Sequence, residues 1–137
     1  MFKYVKTFNA ASGGVEPEYL PVKDTDTFTQ GCVCELSVGY LANTITDGKT
    51  KFVTLDEKTP GDGKKKLPCM RVLPGMVFET LYVGDESMLY PGNCLNFDTD
   101  TKGCHSIIRP ETAKYVEIVD CTHYDDQYAV LAVTINR

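Results

Sequence analysis

Six cysteines and two histidines are the residues of this 137-residue chain best equipped for chemistry, and their spacing decides which chemistry is open to them. Cys32 and Cys34 make a Cys-x-Cys pair, and Cys121 and His123 a Cys-x-His pair. Residues two apart on an extended strand share a face, so each pair could aim two ligands the same way. Cys69, Cys94 or the Cys104-His105 dipeptide would then complete a tetrahedral thiolate–imidazole site. Structural zinc sites usually draw on pairs with two to four intervening residues, and no such pair is present here. The expectation is therefore of free thiols acting as small buried hydrophobes, with no cofactor and no metal. Cys32, Cys34, Cys121 and His123 stand as the alternative, a metal-binding or thiol-dependent site. A Cys94–Cys104 disulfide, which would close the Asp98–Gly103 loop, is the third option.

Other catalytic arrangements have less behind them. Cys104 and His105 are adjacent, so on a strand they face opposite ways and cannot form a thiolate–imidazole pair. No Gly-x-Ser-x-Gly elbow occurs. Asp24-Thr25-Asp26, Asp98-Thr99-Asp100 and Asp125-Asp126 are carboxylate clusters, but Asp in such turns usually binds its own backbone. Glu79 stands on an otherwise apolar strand face and calls for a cation, with Arg71 and Arg109 as candidates. The Gly61–Lys66 segment has three lysines without a phosphate-cradling pattern, and reads as a solvated, mobile loop.

The elements that would position these residues are strands. Val, Ile and Thr number 33 and aromatics 14, a composition that favours β structure. A net charge of −5 argues against nucleic acid and anionic membrane as partners. There is no apolar run long enough for a membrane helix. The first residues lack an uninterrupted apolar stretch of the export type, which favours reduced thiols.

Along the chain, residues 1–18 read as an N-terminal arm jointed at Gly13-Gly14, and 19–137 as one β domain. The arm either packs on its own domain or reaches a neighbour. Tyr19–Val22 is an edge strand because of Pro21, and Phe28–Tyr40 a longer strand. Asp47-Gly48 signals a hairpin between Asn43–Thr46 and Thr50–Leu55. Met76–Val83 and Met88–Phe97 read as a central hairpin around Gly84-Asp85-Glu86. Pro110–Lys114 is the one helix-like turn, and Tyr115–Thr122 with Tyr128–Ile135 form a closing hairpin. Three Gly-centred turns, at Gly31, Gly75 and Gly92, each feed a following strand. The sum is an all-β chain: a single small barrel or sandwich of about eight to ten short, mostly antiparallel strands. The last strand is apolar on both faces, which suits either a covered strand or a subunit interface.

This order of elements resembles the small β-barrel head decoration (cement) proteins of tailed bacteriophages and prophages. The resemblance runs from about Tyr19 to Ile135. It is carried by Tyr19-Leu20-Pro21-Val22, Phe28-Thr29-Gln30-Gly31, Asp47-Gly48, Arg71 to Thr80, Pro91-Gly92 and Val130-Leu131-Ala132-Val133. The six cysteines and the Lys-rich loop depart from it. It implies a non-enzymatic structural protein that binds and stabilises an assembled phage or prophage shell. The expected partner is the major capsid protein, the expected state a homotrimer. The expected place is the virion surface, after assembly in the bacterial host cytoplasm. Phe2, Tyr4 and Phe8 of the arm and Tyr128 and Val130 of the last strand are the expected contact residues. A monomeric glycan- or peptide-binding module, with Tyr40, Tyr82, Tyr90 and Tyr115 as its aromatic surface, is a further alternative.

Overall fold

Successive residues in Val33–Ser37, Phe52–Thr54 and Lys66–Arg71 alternate between two separate hydrophobic clusters, and this alternation sets the architecture. Val33, Val53 and Met70 enter one cluster, together with Phe78, Leu95, Val116 and Ile118. Cys34, Phe52, Leu67 and Cys69 enter the other, with Val22, Phe28, Cys32 and Leu41. Strands that bury both faces need apolar residues on both, as this stretch of sequence supplies. They form the shared wall between the two cores.

The computed structural model describes residues 2–8, 16–46, 48–82, 87, 89–99, 105–109, 116–124 and 127–134. Among them are eleven strands: β1 (Lys3–Thr7), β2 (Glu18–Pro21), β3 (Val33–Ser37), β4 (Tyr40–Ala42), β5 (Phe52–Thr54), β6 (Lys66–Arg71), β7 (Met76–Tyr82), β8 (Cys94–Thr99), β9 (His105–Arg109), β10 (Val116–Tyr124) and β11 (Gln127–Thr134). The fold is all-β and almost wholly antiparallel. The sheet runs β1-β7-β11-β10-β8-β9-β3-β5-β6-β2, with β4 attached to β3. A parallel bridge, Tyr82↔Ile108, returns β9 to β7. The first half therefore curls into a five-strand circuit that closes at one residue pair rather than through a full ladder. Val33↔His105 joins it to the second half. No helix of the described residues is long and apolar enough to cross a membrane.

The closing hairpin forms as expected, with β10 and β11 paired from Val116↔Thr134 to Tyr124↔Gln127 and a bulge between Ile118 and Asp120. The three glycine turns also hold: Gly31, Gly75 and Gly92 all have φ between 79° and 88°, ahead of β3, β7 and β8. Only a residue without Cβ takes that backbone region at little cost.

Two expected hairpins do not form. β7 and β8 are not paired, because β7 has its two edges otherwise occupied. β11 covers one from Val77 to Tyr82, and β1 covers the other from Met76 to Glu79. β8 pairs with β9 and β10 instead. At Gly48 the chain does turn, with φ 80° and a Lys49 N–H to Thr46 carbonyl bond of 3.4 Å. The flanking strands β4 and β5, however, lie on opposite sides of β3. The hairpin in this region is β3–β4, whose two-residue loop, Val38-Gly39, splits the long strand expected over Phe28–Tyr40. The helix-like turn at 110–114 lies outside the described residues.

The arm is part of the sheet. Between Gly31 and Gly75 the chain of residues 2–8 is fixed at both ends, by Phe2 N–H to the Gly31 carbonyl (3.0 Å) and Phe8 N–H to the Gly75 carbonyl (2.9 Å). The rings of Phe2 and Tyr4 meet Phe78 edge-on, with centroids 6.1 and 5.9 Å away.

Candidate functional site

The Cys-x-Cys pair shares a face, but the face belongs to a core. Cys32 is disulfide-bonded, so it offers no thiolate to a metal. Its backbone N–H donates to the buried Thr54 hydroxyl at 2.9 Å, which anchors β3 to β5. Cys34 is a free thiol in the cluster of Phe52 and Leu67, with its sulfur 3.6 Å from the Asn43 Oδ1. Burial pushes the Cys34 thiol far up, and neighbouring Cys69 and Glu35 add to the shift. Burial, with Glu18 nearby, pushes Cys69 up to about 12. Cys121 is free, packs against the other cluster, and is raised by burial and by Asp120. The side chain of His123 lies outside the described set.

Among the described residues, these positions do not bring Cys121 to Cys32 and Cys34, as the thiol and metal alternative requires. Cys34 packs in one core and Cys121 against the other, Cys32 is oxidised, and burial favours the protonated, unreactive form of the Cys34 and Cys121 thiols. Among the described residues no group of three His, Cys, Asp or Glu side chains could hold a metal ion. Cys94 is also a free thiol, so the Cys94–Cys104 disulfide is corrected as well. The expectation of six reduced thiols is corrected at Cys32. Cys104 lies outside the described residues.

The carboxylates of the Asp24–Asp26 turn act as turn residues. Asp26 Oδ2 accepts the Lys23 N–H at 2.7 Å. Arg71 does not meet Glu79; its guanidinium makes a two-pronged contact with Glu18, at 2.7 and 2.8 Å, across the outer strands β6 and β2. Glu79 instead stands opposite Lys3 in the β1–β7 register.

Two buried ionic groups were not signalled by the sequence. Glu35 lies on β3 beside the Lys51 ammonium, 3.5 Å away, and both are almost wholly buried. Burial alone would raise the Glu35 carboxyl. Hydrogen bonds from the Thr46 hydroxyl and N–H and the Thr44 hydroxyl, with the Lys51 charge, outweigh it and hold the group below the ordinary carboxylate value. Lys51 also donates to the Thr46 and Lys49 carbonyls, each at 2.6 Å. The group ties Thr44, Thr46 and Lys49 onto β3. It is a fastening built from charge and hydrogen bonds together.

Lys58 does the same for the segment expected to be a mobile loop. Its fully buried ammonium contacts Asp62 Oδ1 at 2.7 Å and donates to the Asp24 and Thr59 carbonyls at 3.1 and 2.7 Å. Asp62 also accepts the Thr59 and Lys64 N–H groups, and the Lys58 bond foremost holds its carboxyl far below the usual range. Lys64 reaches Asp56 at 3.1 Å. Of the three loop lysines, one is thus paired, and Lys66 opens β6.

Among the described residues, seven large apolar side chains remain exposed beside the polar surface. Val38, at the tip of the β3–β4 hairpin, is 96% exposed, and Tyr19 on β2 is 62% exposed. Tyr40, Phe8, Leu73, Val5 and Tyr90 are also exposed. Beside Tyr40 lies a cleft of about 480 Å³, with Lys23 on its rim and its ammonium 5.4 Å from the Tyr40 ring centre. Of the expected contact residues, Phe8 is exposed and Tyr4 half-buried. Phe2 is only 3% exposed and faces its own chain, so it is withdrawn as a contact residue. Tyr128 and Val130 lie on β11, an interior strand flanked by β7 and β10. Of the tyrosines expected to form an aromatic surface, Tyr82 is buried in the core, and Tyr115 lies outside the described residues.

Compared with family models, with curated proteins and with solved structures, the chain matches none.

Proposed function

We propose that this protein is a non-enzymatic structural component that binds and stabilises a phage or prophage capsid shell, as a trimer on the virion surface. Its partner in this reading is the major capsid protein. The observation that carries the reading is the placement of the exposed apolar side chains, Val38, Tyr40, Phe8 and Tyr19, at hairpin tips and outer strands of a rigidly fastened all-β fold. Side chains so placed lose hydration when covered, and several weak contacts repeated over an icosahedral lattice add up to firm attachment. The buried Glu35–Lys51 and Lys58–Asp62 groups support it by fixing the loops between strands, which lowers the ordering cost of docking. The succession of strand-feeding glycine turns also agrees with the decoration-protein pattern.

The test is sedimentation of the purified chain with expanded, undecorated shells of the phage or prophage that encodes it. Saturable binding at a fixed ratio to the major capsid protein is the expected result. Shells that pellet without the protein at every ratio would contradict the proposal. The cleft beside Tyr40 favours one competitor, a monomeric peptide- or glycan-binding module. A chain that stays monomeric and ignores shells, yet retains a peptide or glycan in native mass spectrometry, would move the assignment there.

A further inference from the structure

The cleft beside the β3–β4 hairpin, about 480 Å³ in volume, has a floor and two walls of different origin. Phe28 and Leu41 make the floor; both are 3% exposed and belong to the core cluster of Cys34 and Phe52. Residues from 23 to 27 form one wall, and Ser37 to Asn43 the other. The volume falls within the range of about 300–1,000 Å³ usual for small-molecule sites.

Both walls are fixed by the fold itself. Phe28 exchanges backbone bonds of 2.9 and 2.8 Å with Lys58, whose ammonium also binds the Asp24 carbonyl. Asp26 closes its turn twice: its N–H donates to the Lys23 carbonyl at 3.1 Å, and its Oδ2 accepts the Lys23 N–H at 2.7 Å. Ser37 and Tyr40 pair across the two-residue loop Val38-Gly39. Walls so fastened lose little freedom when a ligand binds.

The hairpin tip is an independent observation. Val38 has φ 50°, a region that a β-branched residue enters only under strain. Asn or Gly meets the need of such a loop for positive φ without a branched side chain. The fold gains nothing from a strained valine that is 96% exposed, whereas a ligand in the cleft gains an apolar contact from its methyl groups.

What the cleft offers a ligand is side chains and no strand edge. β4 has β3 on one side and β2 within 8 Å (Cα–Cα) on the other, so a peptide has no room to add there as a further strand. On the rim Lys23 stands beside Asp26, so the two charges offset each other and neither sign of ligand is favoured. Among the described residues, the Thr25, Thr27 and Ser37 hydroxyls and the second Asp26 oxygen are engaged by no hydrogen bond. Hydroxyls donate and accept, and a carboxylate accepts. Tyr40, 41% exposed, adds an aromatic ring to the same wall as Val38. An uncharged ligand with hydroxyls on its edges and C–H bonds on its faces matches this lining.

We propose that the cleft binds a neutral saccharide, whose hydroxyls bond Asp26 and the three hydroxyl side chains while its C–H faces pack against Tyr40 and Val38. The proposal is independent of the shell reading, which keeps Phe8 and Tyr19 for its contacts.

The test is a glycan array probed with the purified full chain, followed by saturation-transfer NMR with the neutral oligosaccharides it retains. The wild type is expected to bind neutral oligosaccharides, and Tyr40→Ala and Asp26→Asn to weaken that binding roughly tenfold or more. Asn at position 26 keeps an acceptor for the Lys23 N–H, so the turn survives while the carboxylate is lost. Val38→Asn separates site from scaffold, because it relieves strain and is expected to leave Tm unchanged or raised while saccharide binding falls. Tyr90→Ala changes an exposed tyrosine outside the cleft and is expected to bind as the wild type does. An array that retains no neutral saccharide, whatever peptides the chain takes up, would overturn the proposal. So would retention of acidic saccharides alone, which would assign recognition to Lys23. Cleft variants that bind like the wild type, equal losses in Tyr90→Ala, or a Val38→Asn variant that loses stability along with binding would overturn it as well.

Discussion

Glu35 is an ionised group inside a small all-β protein, and its neighbours explain how it stays ionised. Removing its partner with Lys51→Met would leave the charge buried and unpaired, and is expected to destabilise the fold by about 3 kcal/mol. A urea titration measures it. Of the four depressed carboxyls, Glu18, Glu35, Asp56 and Asp62, the two that meet buried lysines, Glu35 and Asp62, predict the acid limb of stability. Their folded values lie below the unfolded 4.5 and 3.8, so their contribution is complete above that range and is lost as pH falls through the folded values. The buried thiols act in the opposite sense. Cys34 and Cys69 are raised above the unfolded 9.0, so their neutral forms favour the fold below pH 9.0, and that advantage is lost as pH climbs through the folded values. Melting temperature against pH is expected to show a plateau between those limits. A melting temperature that stays constant from pH 5 down to about pH 2 would contradict the carboxylate account. Alkylation of the native protein is expected to leave Cys34 and Cys69 unmodified until denaturant is added.

At the level of strands, much of the fold was legible because period-2 patterns and glycine turns are local signals. β10–β11 and the strand entries at Gly31, Gly75 and Gly92 follow from residues within a few positions of one another. Partner choice is not local. Asp47-Gly48 specifies a turn, yet nothing near it shows that β3 lies between β4 and β5. Val38-Gly39 carries no turn signal in sequence because Val is a poor residue for the position. The cysteine spacing gave the shared face but not its surroundings, since Phe52 and Leu67, which bury Cys34, come from distant strands. Lys51 and Lys58 look like any surface lysine in sequence, and only tertiary contacts make them buried. Two predictions belong here. Phe2→Ala removes a ring packed on Phe78 and is expected to cost about 3 kcal/mol, a loss read by thermal melting. Pro at Tyr4, which faces Phe78 in the β1–β7 register, is expected to free β1 and expose residues 2–8 to protease while the rest of the fold persists.

For the molecule as a whole, two cores share the wall formed by β3, β5 and β6, and ionic fastenings hold the loops on either side. Such a body presents apolar points at its edges. That is the physical profile of a protein whose work is contact, and it is the ground for the proposed role in stiffening a shell. Stiffening has its own observable. Scanning calorimetry of undecorated shells with and without the protein tests it most directly. The account predicts that the shell transition moves to higher temperature as protein is added and stops moving once the sites are full. A shell transition that stays in place while the protein melts separately would contradict it.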